Sequence, residues 1–256
     1  MVNHTRLDCL IGSAASMRWG TAQAIHHARH RSTFGKTLVR QPAMQNVLAD
    51  LAIESEAATA AAMRIARAYD ESSSSPAAGP FRRFATAVMK YWVCKRAPHH
   101  AVEGLECLGG NGYVEDSGMP RLLRDAPLNS IWEGSGNVAA LDVLRAMTTE
   151  PEGLPAFLAE VELASGANRH LDAHLARVKE GVASLGEEAA DPQWVARGTV
   201  EGLALALQGS LLVRSAPATV ADTFCEARLG GDAGRAFGTL PSGVDARTII
   251  DRALAG

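Results

Sequence analysis

Two features that could do chemistry lie within residues 105–136, LECLGGNGYVEDSGMPRLLRDAPLNSIWEGSG. Gly109, Gly110 and Gly112 free the backbone for close approach to a ligand. Glu133 follows the apolar pair Ile131–Trp132 and stands at the doorstep of a helical run. Its carboxylate has two readings. It is either a favourable partner for the dipole of the following helix, or a general base desolvated by Ile131 and Trp132, with its proton affinity raised toward the working pH. The glycines follow a helical stretch rather than a strand, which excludes a dinucleotide-binding fingerprint and leaves a helix C-terminal cap and turn.

A second candidate is the basic run RHRSTFGK at 29–36. Arg29 and Arg31 suit either a solvated helix end or a contact with phosphate anions. Phe34 beside them fits a ring or nucleotide ligand, or a subunit contact. His26 with His30, and His170 with His174, are spaced four apart on expected helices, but a metal site needs a third ligand and there is no H-E-x-x-H. They read as surface or interface histidines, and no metal is assigned.

These residues need elements to hold them. Apolar positions at Leu7, Leu10, Ala14, Met17 and Ala24 predict a first helix from about Asn3 to Arg31. A second runs from Pro42 or Ala43 to Tyr69, with Met44, Val47, Leu48 and Leu51 on its apolar face. DESSSSPAAGP is a loop by composition, and a third helix spans Phe81–Leu108, kinked or broken near His99 by Pro98. After the glycine-rich loop, GNVAALDVLRAM supplies a shorter fourth, capped near Ser135 or Gly136. The expected fold is all-α: a long antiparallel four-helix bundle over 1–150, followed by a smaller helical subdomain over 151–256. In the latter, Leu154–Val161, Leu171–Leu185 and Val200–Leu211 carry helical periodicity, a short helix follows Pro217, and a glycine-rich segment precedes a last helical turn or two.

At 256 residues, 47% hydrophobic and with net charge -3, the chain should be globular and soluble, with no global charge favouring nucleic acid or an acidic membrane. Cys9, Cys94, Cys107 and Cys225 form no C-x-x-C pair and read as reduced thiols of a cytoplasmic protein. No basic leader precedes an apolar stretch, and no run reaches the ~18–20 apolar residues needed to span a bilayer.

Three motifs carry a family resemblance: RHRSTFGKTLVRQP at 29–42, ECLGGNGYVED at 106–116 and RDAPLNSIWEGSGN at 124–137. In this order and spacing the chain resembles the C-terminal helical domain of acyl-CoA dehydrogenases, in particular the AidB-like branch, flavoproteins linked to the adaptive response to DNA alkylation. The resemblance implies an FAD-dependent oxidoreductase acting on CH–CH groups of an acyl-CoA substrate. Glu133 would remove the proton alpha to the thioester carbonyl while a hydride leaves the beta carbon for the flavin. The backbone N–H of the base and a flavin hydroxyl would polarise that carbonyl. Ser135 and Asn137 match flavin-contacting positions, and Glu106, Gly109 and Gly110 match the loop near the adenosine diphosphate portion. Arg31, Thr33 and Phe34 match the segment that reaches the FAD of a neighbouring subunit, which implies a homo-oligomer, dimer or tetramer. Arg6 matches an arginine near the active site. Trp132 replaces a usual tyrosine and should narrow the acyl pocket, and Pro42 stands where many relatives carry a flavin-contacting glutamine.

The region from 151 resembles an AidB-like extension associated with DNA binding, although it holds 9 Lys and Arg against 14 Asp and Glu, which disfavours phosphate neutralisation. The family's N-terminal helical and middle β domains are not represented in this sequence. A fragment, a split gene product with a separately encoded N-terminal half, and a truncated relative all fit the resemblance, and without those domains FAD would be held poorly or not at all. The competing functions are an AidB-like DNA-binding protective flavoprotein and a non-catalytic assembly module.

Overall fold

The computed structural model describes residues 1–186, 191–231 and 234–254. Among these residues the only sheet is a two-stranded hairpin, and helices form the rest of the regular structure. The three long helices expected are present as α1 (Val2–His30), α2 (Pro42–Glu71) and α3 (Ala78–Glu106). Pro42 takes the first turn of α2, where its missing N–H would have had no partner. α3 runs through Pro98, so the break considered near His99 is absent. Pro98 forfeits one backbone hydrogen bond, but Ala97 and Ala101 on either side are buried, and tertiary packing holds the helix together.

Between α1 and α2 the chain forms β1 (Ser32–Thr33) and β2 (Lys36–Thr37), paired antiparallel around Phe34–Gly35. The larger departure lies in the segment read as a loop. It contains a single turn, α4 (Gly110–Tyr113), and a 13-residue helix, α5 (Met119–Ile131), before α6 (Gly136–Thr149). Pro120 and Pro127 make 119–131 look broken, yet Pro120 sits in the first turn, and Met119 and Ala126 are buried where α5 packs on α1 and α3. Two helices rather than one therefore complete the bundle.

Small residues bring the long helices close. Alanines dominate the faces of α2 and α3, and a Cβ on Gly104 of α3 would stand 3.7 Å from the Gly20 carbonyl of α1. Beyond residue 150 come α7 (Gly153–Glu162), α8 (Arg169–Ala183), α9 (Pro192–Ser215), α10 (Ala218–Leu229) and α11 (Ala246–Leu254). Asn168 caps α8 by accepting from the His170 and Leu171 N–H groups, and Asp191 caps α9 through Gln193 N–H. Of the glycine-rich segment before α11, Asp232 and Ala233 lie outside the described residues.

The boundary expected at 150 falls in the turn between α6 and α7, and apolar packing crosses it. Phe157 of α7 is fully buried against Phe81 and Phe84 of α3, with ring centroids 6.2 and 5.5 Å away. One such burial stabilises by about 2–3 kcal/mol. α9 lies against α2, α3 and α6, and α11 lies against α2 and α1.

A buried polar cluster crosses the same boundary. Asp50 and Glu54, one turn apart on α2, are buried, and Arg228 of α10 pairs with both. Arg96 of α3 donates twice to Glu54, at 3.2 and 3.1 Å, and Gly238 N–H donates to Asp50 at 2.9 Å. Burial pushes the Glu54 carboxyl up, but Arg96 and Arg228 outweigh it and hold it at about 2. No helix among the described residues is long and apolar enough to cross a membrane.

Candidate functional site

The strongest candidate residue, Glu133, sits where α5 hands over to α6. Trp132 N–H closes α5 on the Leu128 carbonyl at 3.0 Å. The next two residues are both left-handed, Glu133 at φ 56 and Gly134 at φ 107, and Ser135 then becomes the N-cap of α6. A non-glycine residue in this region costs roughly 1–2 kcal/mol, so the turn needs external support.

Two buried cations supply that support. Arg6 Nε donates to the Glu133 carbonyl at 3.0 Å, and Lys90 Nζ donates to the Gly134 carbonyl at 2.5 Å and the Ser130 carbonyl at 3.4 Å. Arg6 is 5% and Lys90 1% exposed. A side chain on Gly134 would meet Val138 at 2.8 Å, so glycine is required there for space as well as for conformation.

Arg6 is itself held by Asp142 of α6, which also accepts from Arg83 at 3.2 and 3.1 Å and from Arg145 at 2.7 Å. Burial pushes the Asp142 carboxyl up, but hydrogen bonds from Arg145, Arg6 and Arg83 hold it at about 2. The carboxylate is thus ionised and fixed, and it orients the arginine that fixes the turn.

The Glu133 side chain is exposed, and Ile131 and Trp132 are 61% and 55% exposed. The desolvation expected from that pair is therefore not supplied by the described residues. The backbone is positioned and the carboxylate is free to meet a ligand.

A second group forms at the other end of α1. Arg31, Thr33, Glu106, Gly109 and Gly110 line one cavity of about 390 Å³, together with His27 and the apolar Leu38 and Met44. The hairpin is tied down by Gln41 Nε2, which donates to the Thr33 carbonyl at 3.1 Å, and by Leu38 N–H to the Arg31 carbonyl at 2.8 Å. Gly109 turns the chain at φ 59 after α3, and a Cβ on Gly109 or Gly110 would meet nothing within 4 Å. Gly112 is different: a Cβ there would lie 2.1 Å from the Leu105 carbonyl, so only glycine lets the turn fold back on α3. A guanidinium, a carboxylate and an uncovered glycine backbone suit an anion carrying hydroxyl groups.

Phe34 does not line this cavity. It caps the hairpin at φ 50 and is 98% exposed, a strained and solvated aromatic.

The structure thus sorts the expected residues into two groups. Arg6 touches the Glu133 turn, with Trp132 beside it, while Arg31, Thr33, Glu106, Gly109 and Gly110 share the cavity. Ser135 makes no side-chain capping bond, and Asn137 Oδ1 accepts from Arg197 of α9 at 2.8 Å. The sequence reading missed Lys90 and Asp142. Lys90 carried a signal, a lone cation in the apolar run FATAVMKYWVC, whereas Asp142 carried none.

Other titratable groups are structurally engaged. His30 Nδ1 lies 2.8 Å from the His26 carbonyl and His174 Nε2 lies 2.9 Å from the Gly202 carbonyl. No set of three His, Cys, Asp or Glu residues that could hold a metal occurs among the described residues. All four cysteines are buried and unpaired, and burial pushes Cys94 to about 11 and Cys107 and Cys225 to about 12, which removes them as nucleophiles.

The chain as a whole is similar to known proteins. Residues 1–148 match the family model described as acyl-CoA dehydrogenase, C-terminal domain. The putative acyl-CoA dehydrogenase AidB of Escherichia coli strain K12 is 38% identical over 227 residues, which cover 88% of this chain and 40% of that protein. The structure of Caenorhabditis elegans ACDH-11 in complex with C11-CoA superposes with a TM-score of 0.82 at 29% identity, covering 88% of this chain and 42% of that one. An acyl-CoA dehydrogenase from Bacillus anthracis complexed with FAD superposes at a TM-score of 0.68, covering 98% of this chain and 48% of its own; at 18% identity it speaks to fold alone. The chain spans less than half the length of each of these relatives.

Proposed function

Because the chain belongs to the acyl-CoA dehydrogenase family, we propose that it is the helical C-terminal part of an FAD-dependent oxidoreductase in which Glu133 removes the α-proton of an acyl-CoA thioester. The observation that carries this reading is the Glu133 turn itself: a left-handed carboxylate residue whose carbonyl is gripped by a buried arginine, within RDAPLNSIWEGSGN. Such a proton is weakly acidic, so the base must be placed before it reacts and the thioester carbonyl must be polarised. The Arg6 bond to the Glu133 carbonyl fixes the Glu133–Gly134 peptide plane, and the Glu133 N–H, on the preceding peptide, is the donor assigned to the thioester oxygen. Trp132, 55% exposed beside the base, forms one wall against the acyl chain.

The residues fit part of an FAD. Arg31 offers a cation for the diphosphate, Glu106 a hydroxyl acceptor, and Gly109 and Gly110 an uncovered backbone, all around a cavity of about 390 Å³. Thr33 and Phe34 extend that end, and Ser135 and Asn137 serve the flavin end. FAD, when bound, supplies the acceptor for the hydride that leaves the β carbon. The two groups lie toward opposite ends of α1, roughly 40 Å apart at 1.5 Å of rise per residue, which favours a homo-oligomer in which each cofactor draws on two copies.

Flavin bleaching by acyl-CoA tests the reading. After reconstitution with FAD, alone or with a separately encoded N-terminal half, the wild type should bleach. Glu133→Gln should bind FAD equally and lose about 10²–10⁴-fold in rate, the usual loss of a general base. An unchanged rate in Glu133→Gln removes the assignment.

A further inference from the structure

Lys90 is a cation committed to backbone. It lies on α3, the central helix, with 1% of its surface exposed, and its hydrogen bonds go to the Gly134 carbonyl at 2.5 Å and the Ser130 carbonyl at 3.4 Å. Cys94, Cys9, Arg6 and Glu133 act on it electrostatically. Burial pushes the ammonium pKa down; the nearby thiols and Glu133 work against that and Arg6 with it. A buried amine is tolerated only where hydrogen bonds offset its lost hydration, and here those bonds go to the Gly134 and Ser130 carbonyls.

They belong to a segment with a specific problem. Ser130 is in the last turn of α5, where a cation meets the negative end of the helix dipole, and Gly134 follows Glu133 in the second of two left-handed positions. Arg6 holds the carbonyl of residue 133 from α1, and Lys90 holds that of residue 134 from α3. Rotating the Glu133–Gly134 peptide toward a relaxed backbone breaks the Arg6 bond and rotating the Gly134–Ser135 peptide breaks the Lys90 bond, so the two cations fix the two peptides that follow Glu133.

We propose that Lys90 is the positioning residue for Glu133, setting the direction of its carboxylate through the Gly134 and Ser130 carbonyls without touching substrate. This rests on the reading of Glu133 as the base.

The test uses Lys90→Met in the full chain, reconstituted as above, with amide hydrogen exchange and steady-state kinetics as separate arms. Exchange at residues 133–136 should rise about tenfold or more while α3 stays protected. The kcat should fall by about 10²-fold, the effect of a misplaced base, with KM within about threefold. Unchanged exchange at 133–136 overturns the clamp, and a rise in KM at constant kcat overturns its role in placing the base. If the wild type does not turn over acyl-CoA, the assignment of Glu133 fails while the exchange arm still decides the clamp. Should Lys90→Met not fold, NMR of the wild-type ammonium decides: slowly exchanging Nζ protons coupled to the Ser130 and Gly134 carbonyls support the clamp, and a freely rotating, solvent-exchanging ammonium refutes it.

Discussion

Removing Arg228 should be among the most damaging single changes in this chain, although the residue is remote in sequence from every motif. Its side chain is 13% exposed and pairs with Asp50 and Glu54, which are 1% and 2% exposed. In Arg228→Met, Glu54 keeps Arg96, but Asp50 is left, among the described residues, with the Gly238 N–H at 2.9 Å as its hydrogen-bond donor. Deleting one partner of a buried ion pair costs about 3–5 kcal/mol, because the other charge stays behind. With a urea m-value of about 3 kcal/mol/M, the unfolding midpoint should fall by about 1–1.7 M. Circular dichroism and tryptophan fluorescence both report it, and Trp92, whose Nε1 donates to Gln208 of α9 at 3.0 Å, senses this junction directly. Adding Asp50→Asn should recover much of the loss by removing the stranded charge. A midpoint shift under about 0.3 M, or strict additivity of the two changes, would refute the reasoning.

Acid should unfold the protein in two steps of the same sign. Burial, partly offset by a hydrogen bond to Leu51, lowers His100 from 6.5 to about 4, and Glu54 is lowered from 4.5 to about 2. Each depressed group contributes stability that is complete above its ordinary value and disappears as pH falls through the folded one, about 3 kcal/mol apiece. Urea midpoints measured from pH 7 to 3 should therefore drop between 6.5 and 4, and again below 4.5. His100→Gln should flatten the first drop by more than half; His174, also lowered by burial, accounts for a remainder. A first drop of undiminished size in the variant would exclude His100 as its source. At the hairpin, Phe34→Asn should raise the thermal midpoint by the equivalent of about 0.5–1 kcal/mol, because Asn–Gly suits a two-residue turn with both φ positive. A lower midpoint would show that the aromatic ring is not simply strained and solvated.

Much of the architecture was legible because it is periodic. Leu7, Leu10, Ala14 and Met17, or Met44, Val47, Leu48 and Leu51, place α1 and α2 within a residue or two at most boundaries. α5 was illegible because Pro120 and Pro127 punctuate it, and what sustains it, burial of Met119 and Ala126 against α1 and α3, is not a local property. The hairpin was hidden for a related reason: Gly35 marks a turn, but Phe34 is not a turn-forming residue and does not announce its left-handed backbone. For the site, periodicity and spacing favoured a cap over a base at Glu133, and the resemblance carried by the ordered motifs reversed that expectation. The clamp lay beyond either, since Lys90 reaches Gly134 across 44 residues and Arg6 reaches Glu133 across 127. Asp50 and Glu54 came closest to announcing themselves, as two acids one turn apart beside the apolar Leu48, Leu51 and Ile53.

The shared cores have a consequence in time as well as in space. At roughly 5–20 residues per second, a chain emerging from the ribosome needs on the order of 5–20 s to bring out a hundred residues. Once the first three helices are complete, Phe81 and Phe84 therefore wait for Phe157, and the paired acids of α2 wait longer still for Arg228. The nascent bundle waits with an alanine-rich apolar face and two carboxylates uncovered, a state that invites a chaperone and penalises slow synthesis. Translation speed through the segment from α4 to α10 is thus a physical parameter of this fold.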